Sequence, residues 1–213
     1  MNLDGVLIVG VLVTIAVYFF ARRGNPVRRA RILRRTGFTL MVLNVAFFGT
    51  FLTGDTLSDP GGWKAIGLIA IWLIPLVALG LLAWFYPDRT GWLLAAVVAA
   101  VVGLSIWFAI DPAAWRAVEN RNGPIRAVIV FVVSATLALW GLRRTMQAGV
   151  LLVIVGFLPI LLSSFGRGGM ASLAVAGTVP FLTGVLYVAA GYLDRRQPPP
   201  AEVVPPQNPK MAA

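Results

Sequence analysis

Apolar residues run along this chain in seven stretches, 3–20, 37–53, 65–86, 92–110, 127–142, 148–163 and 172–193, and charged residues, glycine or proline punctuate the joins. A helix rises about 1.5 Å per residue, so a run of roughly twenty residues crosses a ~30 Å hydrocarbon layer. The pattern predicts an all-α fold: a polytopic integral membrane helical bundle of seven transmembrane helices, one leading helix followed by three two-helix hairpins. Pro75, Pro159 and Pro180 fall inside three of the runs, where each frees a backbone carbonyl and favours a kink.

Two phrases recur between the runs. Asp59-Pro60-Gly61-Gly62-Trp63-Lys64-Ala65-Ile66 has a counterpart in Asp111-Pro112-Ala113-Ala114-Trp115-Arg116-Ala117-Val118. Upstream of each, Arg35-Thr36-Gly37 matches Arg89-Thr90-Gly91, and Arg144-Thr145 with Gly149 is a looser third. The repetition predicts that the hairpin is an internal repeat. In the Asp-Pro phrase the aspartate caps free helix N–H groups and the proline fits the first helical position. Trp63 and Trp115 suit the headgroup layer, and Lys64 and Arg116 reach toward water or phosphate. If the hairpins surround a pseudo-axis, Asp59, Asp111, Lys64 and Arg116 converge at one face, which makes Asp59, Trp63, Lys64, Asp111, Trp115 and Arg116 candidate ligand-binding residues. Residues 113–120 are expected to form two turns of helix on the outer surface, ended by Gly123-Pro124.

Charge then fixes an orientation. Arg22, Arg23, Arg28, Arg29, Arg31, Arg34 and Arg35 crowd the join after the first run, which has Asp4 before it. A cleaved signal peptide has the reverse order. With the N-terminus outside, thirteen of the eighteen basic residues fall on the cytoplasmic side, as the positive-inside rule requires. Gly24-Asn25-Pro26 reads as a turn, followed by a short basic helix leading into the second span, and Pro87–Gly91 as a tight turn. The seven arginines are candidate contacts for anionic lipid. Residues 1–196 form the expected transmembrane domain, and 197–213, rich in proline, a disordered cytoplasmic tail. Arginine over lysine, with abundant alanine and valine, suggests a high-GC bacterium, so the expected location is the bacterial inner membrane.

Composition narrows the chemistry. The chain has neither histidine nor cysteine, which removes thiol chemistry, disulfides and the usual ligands of haem, zinc and copper from its own side chains. No cofactor or metal is expected, and no nucleic acid, because the basic residues are not interleaved with stacking aromatics on a soluble face. Seven spans with an external N-terminus match microbial rhodopsins in count alone, since the seventh run has no lysine to carry retinal.

Lipid tails are as apolar as leucine, so helices in a bilayer associate largely through close approach at small residues. Gly149, Gly156 and Ser163 are spaced by seven, as are Gly177, Gly184 and Gly191, which keeps each set on one helix stripe. The sixth and seventh helices are expected to pack antiparallel along these stripes, and Ala95, Ala99 and Gly103 form a further ladder on the fourth. Asn44 is the polar side chain most in need of a partner on another helix. The leading expectation is a non-catalytic multi-pass accessory or assembly component of a larger membrane system, in contact with the bilayer and other membrane subunits. The alternative is a small permease or substrate-binding subunit with a pocket near Asn44. A weaker one is a lipid-modifying enzyme using Asp59 or Asp111.

Overall fold

The computed structural model describes residues 25–58, 62–110, 125–165 and 171–195. Six helices occupy nearly all of them: α1 (Pro26–Ser58), α2 (Gly62–Phe85), α3 (Pro87–Ile110), α4 (Ile125–Trp140), α5 (Thr145–Phe165) and α6 (Ala171–Arg195). No strand occurs among the described residues. Of these helices α1, α2 and α3 are long and apolar enough to cross a membrane, and Val128–Trp140 and Thr145–Leu158 are shorter apolar stretches. The leading run 3–20, the surface segment 113–120 and the tail 197–213 lie outside the described residues.

The helix boundaries follow from local chemistry. Asn25 caps α1: its Oδ1 accepts from Val27 N at 3.1 Å, and its carbonyl accepts from Arg29 N at 3.1 Å. Pro26 then takes the first helical position. Nothing between Pro26 and Gly37 breaks a helix, and arginine is a good helix former. The basic stretch and the second span are therefore one 33-residue helix, where the sequence suggested two pieces. At the other join, Tyr86 alone separates α2 from α3. Thr90 N donates to Tyr86 O at 3.0 Å, and the Thr90 hydroxyl reaches both Tyr86 O (2.6 Å) and Leu82 O (2.9 Å) across the junction. Pro87–Gly91 is thus the first turn of α3 and not a free turn. Asp88 lies in that turn, where a negative charge suits the helix dipole.

Gly62 opens α2 with φ of +58°, a left-handed conformation that glycine adopts without the penalty of a Cβ. The second Asp-Pro phrase has Ala114 at this place, which lies outside the described residues.

The shortest helix is the central one. α4, with 16 residues, packs against α1, α2, α3, α5 and α6. Its Val130, Phe131, Val132, Val133, Ser134, Thr136, Leu137, Ala138 and Trp140 are all buried. α2, by contrast, touches the bundle along one stripe and leaves Ile71, Ile74, Leu81 and Phe85 exposed, as a lipid-facing helix does.

α5 and α6 are antiparallel and in backbone contact. A Cβ on Gly149 would lie 2.7 Å from Val188 N, one on Gly184 2.6 Å from Val153 N, and one on Gly191 2.8 Å from Met146 Cβ. At Gly156 the added atom would lie 2.7 Å from Gly177 O and closer still to Phe181 N. Atoms do not approach so closely, so these positions tolerate hydrogen alone. The α3 ladder differs: Ala99 and Gly103 are exposed, and nothing lies within 4 Å of a Cβ built at Gly103.

The contrast gives a paired prediction. Gly156→Val should cost roughly 1–3 kcal/mol or more, as overpacking does, whereas Gly103→Val should change stability by less than about 0.5 kcal/mol. Loss of helicity against rising fraction of denaturing detergent measures both. Equal losses would mean that backbone contact at Gly156 does not govern the α5–α6 pair.

Candidate functional site

Helix ends that belong together are held by side chains from the joins. The indole of Trp140, 2% exposed, donates from Nε1 to Pro87 O at 2.8 Å. Its ring also lies over Gly91, where a Cβ would stand 3.1 Å from Trp140 Cζ2. Arg144 pairs with Asp88, and the Arg143 guanidinium sits 4.9 Å from the centre of the Trp84 ring. The α2–α3 join is thereby fastened to the α4–α5 join. On the neighbouring side, Leu33 of α1 packs with Leu186 and Ala190 of α6, with Leu193 beside them.

Tyr187 ties these parts together. Fully buried on α6, it donates from its hydroxyl to Ala138 O of α4 at 2.8 Å. Its ring fills the space that Cβ atoms at Gly37 and Gly141 would need. One turn away, the Thr183 hydroxyl lies 3.4 Å from Gly37 O. Gly37 and Gly91, the last residues of the two Arg-Thr-Gly phrases, thus each face an aromatic ring from another helix. Tyr187 carries no sequence signal beyond being a hydroxyl in an apolar run.

One end of the bundle therefore collects the start of α1, the α2–α3 join, the α4–α5 join and the end of α6. Arg28, Arg29, Arg31, Arg34, Arg35, Arg89, Arg143, Arg144 and Arg195 lie at this end, against Asp88 and Asp194. Arg28, Arg31 and Arg35 are exposed, and Arg29 and Arg34 half-buried. Arg22 and Arg23 lie outside the described residues.

The opposite end is less complete. Asp59, Asp111, Trp115 and Arg116 are outside the described residues, so the structure does not bring the expected Asp–Arg–Lys cluster into view. Trp63 is 87% exposed, and Lys64 is exposed beside it. Asn44 is half-buried, and its Nδ2 lies 3.9 Å from Met41 Sδ on its own helix; no hydrogen bond from Asn44 to another helix occurs among the described residues. Of the packing residues, Gly149, Gly156, Gly177, Gly184 and Gly191 meet as described above. Ala95 is half-buried, while the Ser163 side chain is outside the described set.

Near Asn44, α1 and α2 enclose a laterally open groove of about 520 Å³, lined by Val45, Ala46, Gly49, Thr50, Thr53, Gly54 and Trp72. The Thr50 and Thr53 hydroxyls donate back to Ala46 O and Gly49 O, both at 2.7 Å, which leaves the wall apolar. Trp72 Nε1 is buried with no acceptor, and its ring packs edge-on against Phe131 at 6.0 Å. Elsewhere among the described residues the buried side chains with hydroxyls are Thr90, Ser134, Thr136, Thr145, Thr178, Thr183 and Tyr187. No group of three or more metal-ligating side chains occurs among the described residues.

Tyr187 is the position to test. Tyr187→Phe removes one interhelical hydrogen bond and should cost about 0.6 kcal/mol, the average found for such bonds in membrane bundles. Tyr187→Ala empties the ring site and should cost roughly 3–5 kcal/mol. Unfolding in denaturing detergent followed by circular dichroism separates the two; similar small losses would show that the ring does not bridge α1, α4 and α6.

No protein family, curated protein or solved structure matches this chain.

Proposed function

We propose that this chain is a non-catalytic multi-pass protein of the bacterial cytoplasmic membrane, an accessory or assembly component of a larger membrane system. It crosses the bilayer seven times, with the N-terminus outside and the arginine-laden end in the cytoplasm. The segregation of nine described arginines to one end supports that orientation, because translocating them would be costly. α1, α2 and α3 supply length and apolarity enough to cross.

The observation that carries the accessory role is the outward face of α3. Ala96, Ala99, Ala100 and Gly103 are exposed there, between Trp92 (85% exposed) and Trp107 (59%). Small residues at such spacing let a second helix approach closely. Inside the bundle, Gly149, Gly156, Gly184 and Gly191 are used in the α5–α6 contact, and Gly37, Gly91 and Gly141 against an aromatic ring. A packing surface of the same kind, left on the outside, favours a protein whose partner is another membrane subunit.

The groove between α1 and α2 favours a second reading, a small permease or substrate-binding subunit. Its volume is in the range of ligand sites, but its apolar lining suits an acyl chain better than a polar solute.

Two measurements test the leading reading. The chain has no native cysteine, so single cysteines report topology cleanly. Arg31→Cys, Arg89→Cys and Arg143→Cys should resist a membrane-impermeant maleimide in intact cells, and Lys64→Cys should react. Reaction at the arginine positions would reverse the orientation. A photo-crosslinking residue at Ala99 should then capture a defined membrane subunit from the native membrane, and Gly103→Leu should reduce that capture at least tenfold without loss of the folded protein. Crosslinking to lipid alone would remove the accessory role.

A further inference from the structure

The first three turns of α1 hold five arginines and no acid; the first carboxylate on this helix is Asp55. Among the described residues the ion pair is Arg144 with Asp88, and none of the five has a carboxylate partner. Arg28, Arg31 and Arg35 are exposed on one face, three and four residues apart. Like charges at this spacing repel, so the strip is held in one place without an internal counter-charge. The opposite face is occupied: Ala30 and Leu33 are buried, the latter against Leu186 and Ala190 of α6. Arg29 is half-buried and off the exposed face, its Nε buried with no hydrogen-bond acceptor among the described residues.

Resting on the membrane reading above, we propose that this strip is a binding site for a phosphate-ester anion, the headgroup of an anionic phospholipid, held by Arg28, Arg31 and Arg35. The helix terminus itself is not the site, because Asn25 already caps it. Guanidinium groups match phosphate through two parallel N–H donors. The source is a lipid, because the exposed face does not end with the charges. Arg28, Arg35 and Val42 are seven apart on it, Val42 is 47% exposed, Ile32 (42%) flanks the strip, and Ala46 continues the line. A headgroup held by the arginines therefore has an apolar track beside its acyl chain, which free phosphate has no use for.

Native mass spectrometry of the full chain in mild detergent tests this, titrating phosphatidylglycerol against phosphatidylcholine, each with and without equimolar inorganic phosphate. The expected result is selective retention of phosphatidylglycerol that inorganic phosphate does not displace. Each of Arg28→Gln, Arg31→Gln and Arg35→Gln should weaken retention about fivefold, the combined variant of all three should abolish the selectivity, and Arg89→Gln should leave it unchanged. Circular dichroism and gel filtration check that each variant is folded. Equal retention of the two lipids, insensitivity to the Arg28, Arg31 and Arg35 variants, or displacement by inorganic phosphate would overturn the proposal. Failure of the membrane reading looks different: the chain would purify from the soluble fraction without detergent.

Discussion

The bundle depends on two backbones being allowed to touch. On the membrane reading proposed above there is no solvent to expel between them, so α5 and α6 gain nothing from burying leucine against leucine in place of lipid. They gain from dispersion contacts that exist only at short range, and glycine is what permits that range. Gly149 against Val188, Gly184 against Val153 and Gly191 against Met146 fix one antiparallel register. Because Val188 adjoins Tyr187, the same register sets where the tyrosine ring enters. The ring then requires glycine at 37 in α1 and at 141 after α4, and its hydroxyl finds Ala138 O. A contact between two helices thus decides the placement of four.

The second fastening, between the two joins, is weighed differently. Arg144 and Asp88 are 50% and 73% exposed, and ion pairs in such settings contribute about 0–1 kcal/mol. The Arg143–Trp84 stack adds about 0.5–1 kcal/mol at an exposed site. Trp140 is buried and donates to a backbone oxygen, so losing its acceptor would strand a buried N–H at about 1–3 kcal/mol, besides the packing of its ring on Gly91. The indole, not the charge pair, holds this corner; the charges set which faces of the joins meet.

How much of this was legible follows from what each side chain signals. Apolar runs and the glycine stripes at spacing seven were readable, since glycine in a membrane helix has few reasons other than close approach. The α3 ladder was equally readable as a small-residue stripe, but its spacing does not say whether the partner helix is inside the chain. The continuity of α1 was hidden because the arginine cluster reads as a join between spans, although arginine itself continues a helix. The central place of α4 was not visible at all: lipid-facing and helix-facing positions are both apolar, so hydropathy that separates inside from outside in water fails here. Tyr187 was missed for the same reason, and Asp88 because its partner is 56 residues away. Of the candidate ligand residues, those around Asp111 fall outside the described chain, and Asn44 lacks the described interhelical bond its amide suggested.

The choice of basic residue bears on what the charged end does. For orientation alone, lysine and arginine are equivalent, yet the chain has sixteen arginines and two lysines. The placement says more than the count. A lysine carries its charge as a point at the tip of a flexible stem, whereas arginine presents a planar fork that matches two phosphate oxygens at once. Orientation needs only charge on one side; Arg28, Arg31 and Arg35, three and four residues apart on one exposed face, set three such forks in a row beside an apolar track. That arrangement is matched by a headgroup with several oxygens in a fixed place better than by a diffuse ionic atmosphere.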